Sequence, residues 1–340
     1  MWLKAILNKK QVLSIWILSD GLPGHVNQSL GISKALVEEF PHDHVMLTFT
    51  LRHKLLRPLM RLLANFFPFF LTRFTLSLFY RYGSLPTSAP ALIISAGGNT
   101  LFASAAVANI YHAPNVFSGT SKGYRHSLLS LIFTVTPLNN SRNNVVLDLP
   151  PSNIDAAAGG KSKGSTSPLY ALLIGGDGAG YHYKESDWQV LAEALQVISQ
   201  RDGSKWLLTT SRRTGEKSEI LFNSQLAPEI CERAVWYATK PAKVVKQFLQ
   251  ECDAVFCTED SLTMVSEAIY AHKPVITLQP EVIQPDANDA MALKKYSDLG
   301  FIQRVRITEL PQFVLSDQVF CENYPDIKKQ IVQAVREYCL

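Results

Sequence analysis

Residues 255–278 read VFCTEDSLTMVSEAIYAHKPVITL. An apolar run ends at Thr258, a polar join follows with the acid pair Glu259 and Asp260, a helical segment carries Glu267, and a second apolar run ends at Leu278. Strand, helix and strand at this spacing make the crossover unit of a parallel sheet. The join, Thr258, Glu259, Asp260 and Ser261, falls just past a strand's carboxyl end, where the next helix begins. Backbone N–H groups and hydroxyls at such a place can hold phosphate oxygens. Glu267, further along the helix, could accept hydrogen bonds from a ribose diol. The alternative for Asp260 or Ser261 is simple capping of the helix end.

The same alternation extends outward in both directions. LYALLIGGDGAGYHYKESDWQVLAEALQVISQ (169–200) is strand, glycine turn and helix, KWLLTTSRRTGEKSEILFNSQL (205–226) is the next such unit, and AKVVKQFLQECDAVFCTEDS (242–261) is helix then strand. Earlier, VLSIWILSDGLPGHVNQSLGISKALVEEF (12–40) gives a strand to Leu18, a turn, and a helix with Leu30, Ile32, Ala35, Leu36 and Phe40 inward; ALIISAGGNTLFASAAVANI (91–110) repeats the pattern and NVFSG starts a further strand. AAAGGKSKGSTSP (156–168) has the composition of a flexible linker. The chain therefore reads as two doubly wound parallel-sheet α/β domains facing a cleft, with ligands at the carboxyl ends of the strands. The expected boundaries are 1–155, 168–322, and a terminal helix over 323–340, in which Ile327, Ile331, Val335 and Tyr338 form one stripe.

Bulk properties agree with this division. A chain of 340 residues that is 47% apolar and 18% charged is too long for one core and too apolar for wholesale disorder. Up to Pro150 there are 13 Lys and Arg against 5 Asp and Glu; the remainder has 20 against 24, so the net charge of +4 splits into +8 and −4. Between Asp43 and Asp148 there are nine basic residues and no acid. A cationic first half points to an anionic partner. Cys231, Cys252, Cys257, Cys321 and Cys339 form no CxxC pair and are read as reduced thiols of a cytosolic protein. MWLKAILNKKQVLSIWILSDG has charges within its apolar run and reads as a lead-in and first strand, not a signal peptide.

One stretch departs from the alternation. In LRHKLLRPLMRLLANFFPFFLTRFTLSLFYRYG (51–83), Arg52, Lys54, Arg57, Arg61, Arg73 and Arg81 interrupt runs of Leu and Phe, and the longest uncharged run, Leu62 to Thr72, contains Pro68. This is too short and too often charged to span a bilayer. It fits a surface lying on anionic headgroups, with Arg57, Arg61, Phe66, Phe67, Phe70 and Arg73 as the expected contacts. The alternative is a pair of core helices with their arginines in solvent. No recognisable DNA or RNA module accompanies the charge, so nucleic acid is not expected as a partner.

Two more loops join the 258–261 segment at the same sheet edge. GGDGAG (175–180) lets backbone at Gly175, Gly176 and Asp177 approach a pyrophosphate or sugar, and TTSRRTG (209–215) sets Arg212 and Arg213 among Ser211 and Thr214, where a guanidinium fork suits a phosphate. With no GxxxxGK[ST] in the chain, a P-loop hydrolase is not supported.

SDGLPGHVNQSLG, SAGGNT, LIGGDGAGYH, TTSRRTG and CTEDSLTMVSEAIYAHKPV, in this order, resemble the family named for plant "elongated mitochondria" fission factors, which has many bacterial members. The resemblance runs from about Leu13 to Val305 and implies the GT-B glycosyltransferase fold. LTMVSEA is similar to the nucleotide-sugar segment of the transferase that makes lipid II. By that resemblance Ser261, Thr263, Met264, Val265 and Glu267 fall where the GT-B pattern holds the diphosphate and ribose. The basic aromatic insert is longer than the family's, and NVFSGTSKGYR replaces its usual Pro-Arg segment.

GT-B chemistry needs a base for the acceptor hydroxyl and positive or dipolar groups for the departing diphosphate. Asp20, at the end of the first strand, is the leading candidate for the base and His25 the second; Asn99, with Gly98, is expected to position the acceptor. No DxD is present, so no metal or other cofactor is expected, and Arg212, Arg213 and helix N-termini take over the stabilising role. The expectation is a cytoplasmic glycosyltransferase, peripheral on the inner membrane, moving a sugar from a nucleotide donor to a lipid-linked or lipopolysaccharide-type acceptor. The rivals are a nucleotide-sugar epimerase of the same fold and a non-catalytic membrane recruitment protein, which the plant members' role in mitochondrial division would imply.

Overall fold

The computed structural model describes residues 12–155, 167–315 and 324–339. The lead-in 1–11, the linker 156–166 and Cys321 lie outside the described residues. The chain divides into two compact units, Met1–Asn153 with Pro325–Leu340, and Ile154–Tyr324.

The first unit runs β1 (Leu13–Ser19), α1 (Pro23–Leu36), β2 (His42–Leu51), α2 (Arg57–Phe66), α3 (Arg73–Phe79), β3 (Tyr80–Tyr82), β4 (Leu92–Ala96), α4 (Leu101–Tyr111), β5 (Asn115–Ser118), β6 (Leu131–Thr134) and β7 (Asn144–Val146). Its sheet has the order β3-β2-β1-β4-β5-β6-β7. All neighbours are parallel except β2 and β3. Ile17 of β1 stands between Met46 and Ile94, and β1 is buried from Ile15 to Ser19, as a central strand covered on both faces must be. Proline at its first position opens α1. Ile32, Ala35, Leu36 and Phe40 are buried as the periodicity predicts, whereas Leu30 is only half-buried.

The basic aromatic stretch is buried in part and exposed in part. Met60, Ala64, Leu71, Leu76 and Phe79 of α2, α3 and the turn between them enter the core with Trp16, Phe49 and Phe102. Leu55, Leu59, Leu62, Phe66, Phe67, Phe69, Phe70, Phe74 and Leu78 stay exposed. A short helix with apolar residues on two faces can bury only one of them. Among the described residues no helix is long and apolar enough to cross a membrane.

The second unit runs β8 (Leu169–Leu173), β9 (Tyr181–His182), α5 (Glu185–Asp202), β10 (Lys205–Thr209), α6 (Glu216–Gln225), β11 (Cys231–Val235), α7 (Val245–Glu251), β12 (Ala254–Thr258), α8 (Leu262–Tyr270), β13 (Val275–Gln279), β14 (Val282–Ile283), α9 (Ala287–Asp298) and β15 (Gln303–Arg306). Six strands form a wholly parallel sheet in the order β11-β10-β8-β12-β13-β15, and β9 pairs with β14 as a separate antiparallel ribbon. Trp188, Leu191, Leu195, Trp206 and Phe256 head its core.

The last helix, α10 (Ile327–Cys339), returns to the first unit and packs on α1. Ile327, Ile331, Ala334 and Val335 are buried, and ion pairs Arg336–Glu39 and Lys328–Glu38 flank the contact. Tyr338 is half-buried, so Ala334 takes the place expected for it on the inward stripe. Each doubly wound sheet reverses its strand order once, between β1 and β4 in the first unit and between β8 and β12 in the second. Loops at such a reversal splay apart and leave a crevice for a ligand.

Candidate functional site

In the second unit the three loops singled out by sequence follow β10, β8 and β12, which are adjacent strands. They are tied together at Gly175. Its N–H donates to Thr258 Oγ1 at 2.7 Å, and its carbonyl accepts from Thr214 Oγ1 at 2.8 Å and from Ser211 Oγ. A Cβ at Gly175 would overlap the Asp260 carboxylate, and one at Gly176, whose φ is +121°, would overlap the backbone of Arg213 and Thr214. These two glycines therefore serve close packing of protein against protein. The expected approach to a pyrophosphate is not what requires them.

The acid pair is likewise absorbed by the unit itself. Asp260 does not cap α8; its Oδ2 accepts from Arg213 Nη2 at 2.5 Å and its Oδ1 from Tyr183 Oη at 3.2 Å. Burial pushes the Asp260 carboxyl above the usual carboxylate range, opposed by Thr258 and the Arg213 guanidinium. Glu259 is buried too. Arg304 donates to it through Nε and Nη2, both at 2.8 Å, with Thr277 Oγ1 at 2.7 Å, Gln279 Nε2 at 3.1 Å and Tyr181 Oη at 3.2 Å. Burial alone would raise its carboxyl, but Arg304 and its other donors hold it below the usual range. Val265 is buried and its N–H donates to Ser261 O. Thr214 and Thr258 are buried as well.

The side chains left near solvent at this edge are Asp177, Arg212, Ser261, Thr263, Met264 and Glu267, with Arg213 partly accessible beside its ion pair. Asp177 accepts from the Tyr183 N–H at 2.9 Å and faces His182 at 3.5 Å. Ser261 stands at the N-cap of α8 with no side-chain capping bond, so the first turn of α8 keeps N–H groups for a ligand. One guanidinium, Arg212, and one helix N-terminus are what the loops offer an anion.

In the first unit the sheet reversal places the end of β1 beside the end of β4. Asp20 accepts from His25 Nδ1 at 2.9 Å, from Asn99 Nδ2 at 2.9 Å and from the Leu22 N–H at 3.2 Å. Because a carboxylate only accepts, the Nδ1 of His25 carries the proton and Nε2 carries the lone pair when the ring is neutral. Asn99 is held from behind: Arg57 Nη2 donates to its Oδ1 at 2.5 Å and Tyr80 Oη to its carbonyl at 2.6 Å. Gly97, at φ +82°, is required here, since a Cβ would overlap the His25 ring. Burial favours the neutral Asp20 acid, yet the bond and charge of His25, with Asn99 and Leu22, hold its carboxyl below the ordinary range.

A pocket of about 570 Å³ opens on this network, lined by Leu22, His25, Arg57, Pro58, Arg61, Gly98, Asn99, Lys122 and Tyr124. The Asp20 side chain is only 3% exposed and does not line it. Of the two expected candidates, His25 lines the pocket and Asp20 stands behind it. Arg57 and Arg61, expected at a membrane, line the pocket. Phe66, Phe67 and Phe70 are exposed as expected, while Arg73 donates to Tyr111 Oη at 3.0 Å. Lys122 and Tyr124 escaped the sequence reading; they lie in the NVFSGTSKGYR segment.

The family model described as mitochondrial fission ELM1 matches residues 131–299. The chain thus resembles that family over β6 to α9, a span holding all three loops of the second unit but not Asp20, His25 or Asn99. A comparison with curated proteins gives no match. Among solved structures, the glycosyltransferase of kitacinnamycin is 13% identical over 96% of both chains with a TM-score of 0.53. A protein from Listeria monocytogenes provisionally assigned as a UDP-N-acetylglucosamine 2-epimerase is 10% identical over 96% of this chain and 92% of its own, with a TM-score of 0.51. MurG of Acinetobacter baumannii matches over 95% of both chains at 14% identity and a TM-score of 0.48. The fold is GT-B, the glycosyltransferase fold. At these identities the likeness shows fold alone.

Proposed function

We propose that this chain is a glycosyltransferase that moves a sugar from a nucleotide donor, held by the second unit, to a lipid-linked or lipopolysaccharide-type acceptor, taken up by the first unit on the cytoplasmic face of the inner membrane. The observation that carries the proposal is the Asp20–His25 pair at the sheet reversal, with His25 on a pocket large enough for a sugar headgroup. His25 Nε2 takes the proton of the acceptor hydroxyl, that oxygen bonds to the anomeric carbon of the donor, and the bond from that carbon to the diphosphate breaks. Asp20 stabilises the resulting imidazolium. Arg212 and the N–H groups opening α8 receive the negative charge of the departing nucleoside diphosphate, and Glu267 accepts from its ribose. No residue of this scheme needs a metal.

The test is calorimetric titration of the full chain with UDP, GDP, CMP and ADP sugars, with Arg212→Gln as the companion. Binding of one nucleotide sugar that weakens about tenfold in the variant supports the donor site. Failure of all four to bind overturns it in favour of a recruitment protein, and turnover of a donor with no acceptor present would favour an epimerase.

A further inference from the structure

The pocket of the first unit contains more positive charge than acid–base chemistry needs. Arg57 and Arg61 stand four residues apart on α2 and therefore on one helical face, and Lys122 enters from the loop after β5. Like charges at that helical spacing repel. Among the described residues no ion pair engages any of the three. Arg57 donates to Asn99 Oδ1, Arg61 donates through Nη1 to the Lys122 carbonyl at 3.3 Å, and no acid lies in the sequence between Asp43 and Asp148. The Asp20 carboxylate is already engaged by His25 and Asn99. Moreover, α4 begins two residues after Asn99, so the positive end of its dipole adds to the same field.

Tyr124 supplies a neutral donor in the same wall. Burial pushes its hydroxyl up to about 12, against the pull of Arg61 and Arg57, so it keeps its proton at neutral pH. Two guanidiniums, an ammonium and a phenol around one cavity match the oxygens of a phosphate ester. The helix that brings Arg57 and Arg61 also carries Leu59, Leu62 and Phe66, which are exposed and fall on its opposite face at 3.6 residues per turn.

We propose that this pocket binds the phosphate or diphosphate group of an amphiphile, with Arg57, Arg61 and Lys122 as its cationic wall and its apolar tail remaining with the exposed Leu and Phe surface of the 55–78 segment. This deepens the transferase reading, on which it rests, by naming the acceptor class: a sugar or alcohol carried on a lipid phosphate, whose phosphate anchors it while its hydroxyl meets His25. Arg57 has a double duty, since its bond to Asn99 ties the anion wall to the group that holds Asp20.

The experiment is calorimetric titration of the full chain with decyl phosphate below its micellar concentration, inorganic phosphate, and uncharged decyl glucoside. Arg61→Gln and Lys122→Gln are the variants; Arg142→Gln, an exposed cation of the same unit outside the pocket, is the control. Decyl phosphate should bind at least about tenfold more tightly than inorganic phosphate, weaken about tenfold or more in each pocket variant and stay unchanged in the control. Equal affinity for inorganic phosphate and decyl phosphate overturns the amphiphile in favour of a soluble phosphate ester. Wild-type affinity in both pocket variants, or decyl glucoside binding as well as decyl phosphate, overturns the site. Both pocket substitutions are at surface positions, and an unchanged melting temperature separates lost binding from lost folding. Nucleotide-sugar binding measured on the same preparations keeps the two readings apart: donor binding with no decyl phosphate binding sinks this inference alone, and the reverse sinks the donor site alone.

Discussion

Asp20 Oδ2 lies 2.9 Å from His25 Nδ1, and the same oxygen accepts from Asn99 Nδ2 at 2.9 Å. One buried carboxylate thus fixes both the tautomer of the histidine and the side chain that Arg57 reaches from α2. The pair is local in sequence, five residues apart across one turn, but its usefulness depends on β4, which brings Gly97 and Asn99 alongside.

On the proposed transferase reading, His25→Ala should lower glycosyl transfer by about 10²–10⁴-fold, the usual worth of a positioned general base. Asp20→Asn should lower it by a similar order, because an amide can also donate and no longer selects the Nδ1–H tautomer. Neither change should alter nucleotide-sugar affinity. Single-turnover rates at saturating donor, read beside donor titrations, check this; transfer that survives both substitutions removes the dyad from the mechanism.

The Glu259–Arg304 pair should govern stability in the second unit. Arg304→Met leaves a carboxylate that is 0% exposed without its bidentate partner and should cost about 3–5 kcal/mol, whereas the double change Glu259→Gln with Arg304→Met should recover part of that loss. The pH dependence has a definite sign. The folded carboxyl is held below its ordinary value, so its stabilisation is present above an unfolded value of about 4.3 and is lost as pH falls through the folded value. Urea unfolding at a series of pH values should show wild type and Glu259→Gln converging in the acid range; a constant difference down to the lowest pH would count against the pair.

Gly175→Ala should destabilise the second unit by about 1–3 kcal/mol through overpacking, because the added methyl meets the Asp260 carboxylate. Shortening the obstacle should help: Gly175→Ala with Asp260→Ala should be less destabilised than the sum of the single changes by about 0.5 kcal/mol or more. Chemical denaturation of the four proteins gives the coupling directly, and strict additivity would mean that the two groups do not collide.

The alternation of apolar runs and helical periods made both doubly wound sheets legible, and strand-end position alone brought the loops at Gly175, Ser211 and Thr258 to one edge. What those loops do was less legible. GGDGAG carries no sign that Gly175 and Gly176 are consumed by Asp260 and Arg213, since those contacts span tens of residues. Nor could the sequence show that Glu259 turns inward, because Arg304, which decides it, arrives from β15. In the first unit Arg57 and Arg61 read as surface cations beside phenylalanines; only the loop after β5, supplying Lys122 and Tyr124, converts them into a pocket wall. A residue's place at a strand end follows from local pattern, but its partner follows from topology.

The exposed aromatic face gives the last prediction. Phe69 is 68% exposed and Phe74 76%, so replacing both by Ser removes little packing, and the melting temperature should not move. If the face lies on lipid, each buried ring contributes about 1.5–3 kcal/mol, and the double variant should lose about tenfold or more in affinity for vesicles. The acid-free charge of the 52–81 segment adds an electrostatic attraction. Wild type should therefore prefer vesicles of phosphatidylcholine with phosphatidylserine over phosphatidylcholine alone. That preference should fade between about 0.1 M and about 1 M salt, as the screening length falls from roughly 10 to roughly 3 Å. Vesicle co-sedimentation reads both effects. Undiminished binding by the Phe69→Ser, Phe74→Ser protein would assign vesicle attachment to charge alone and leave the phenylalanines for a protein partner.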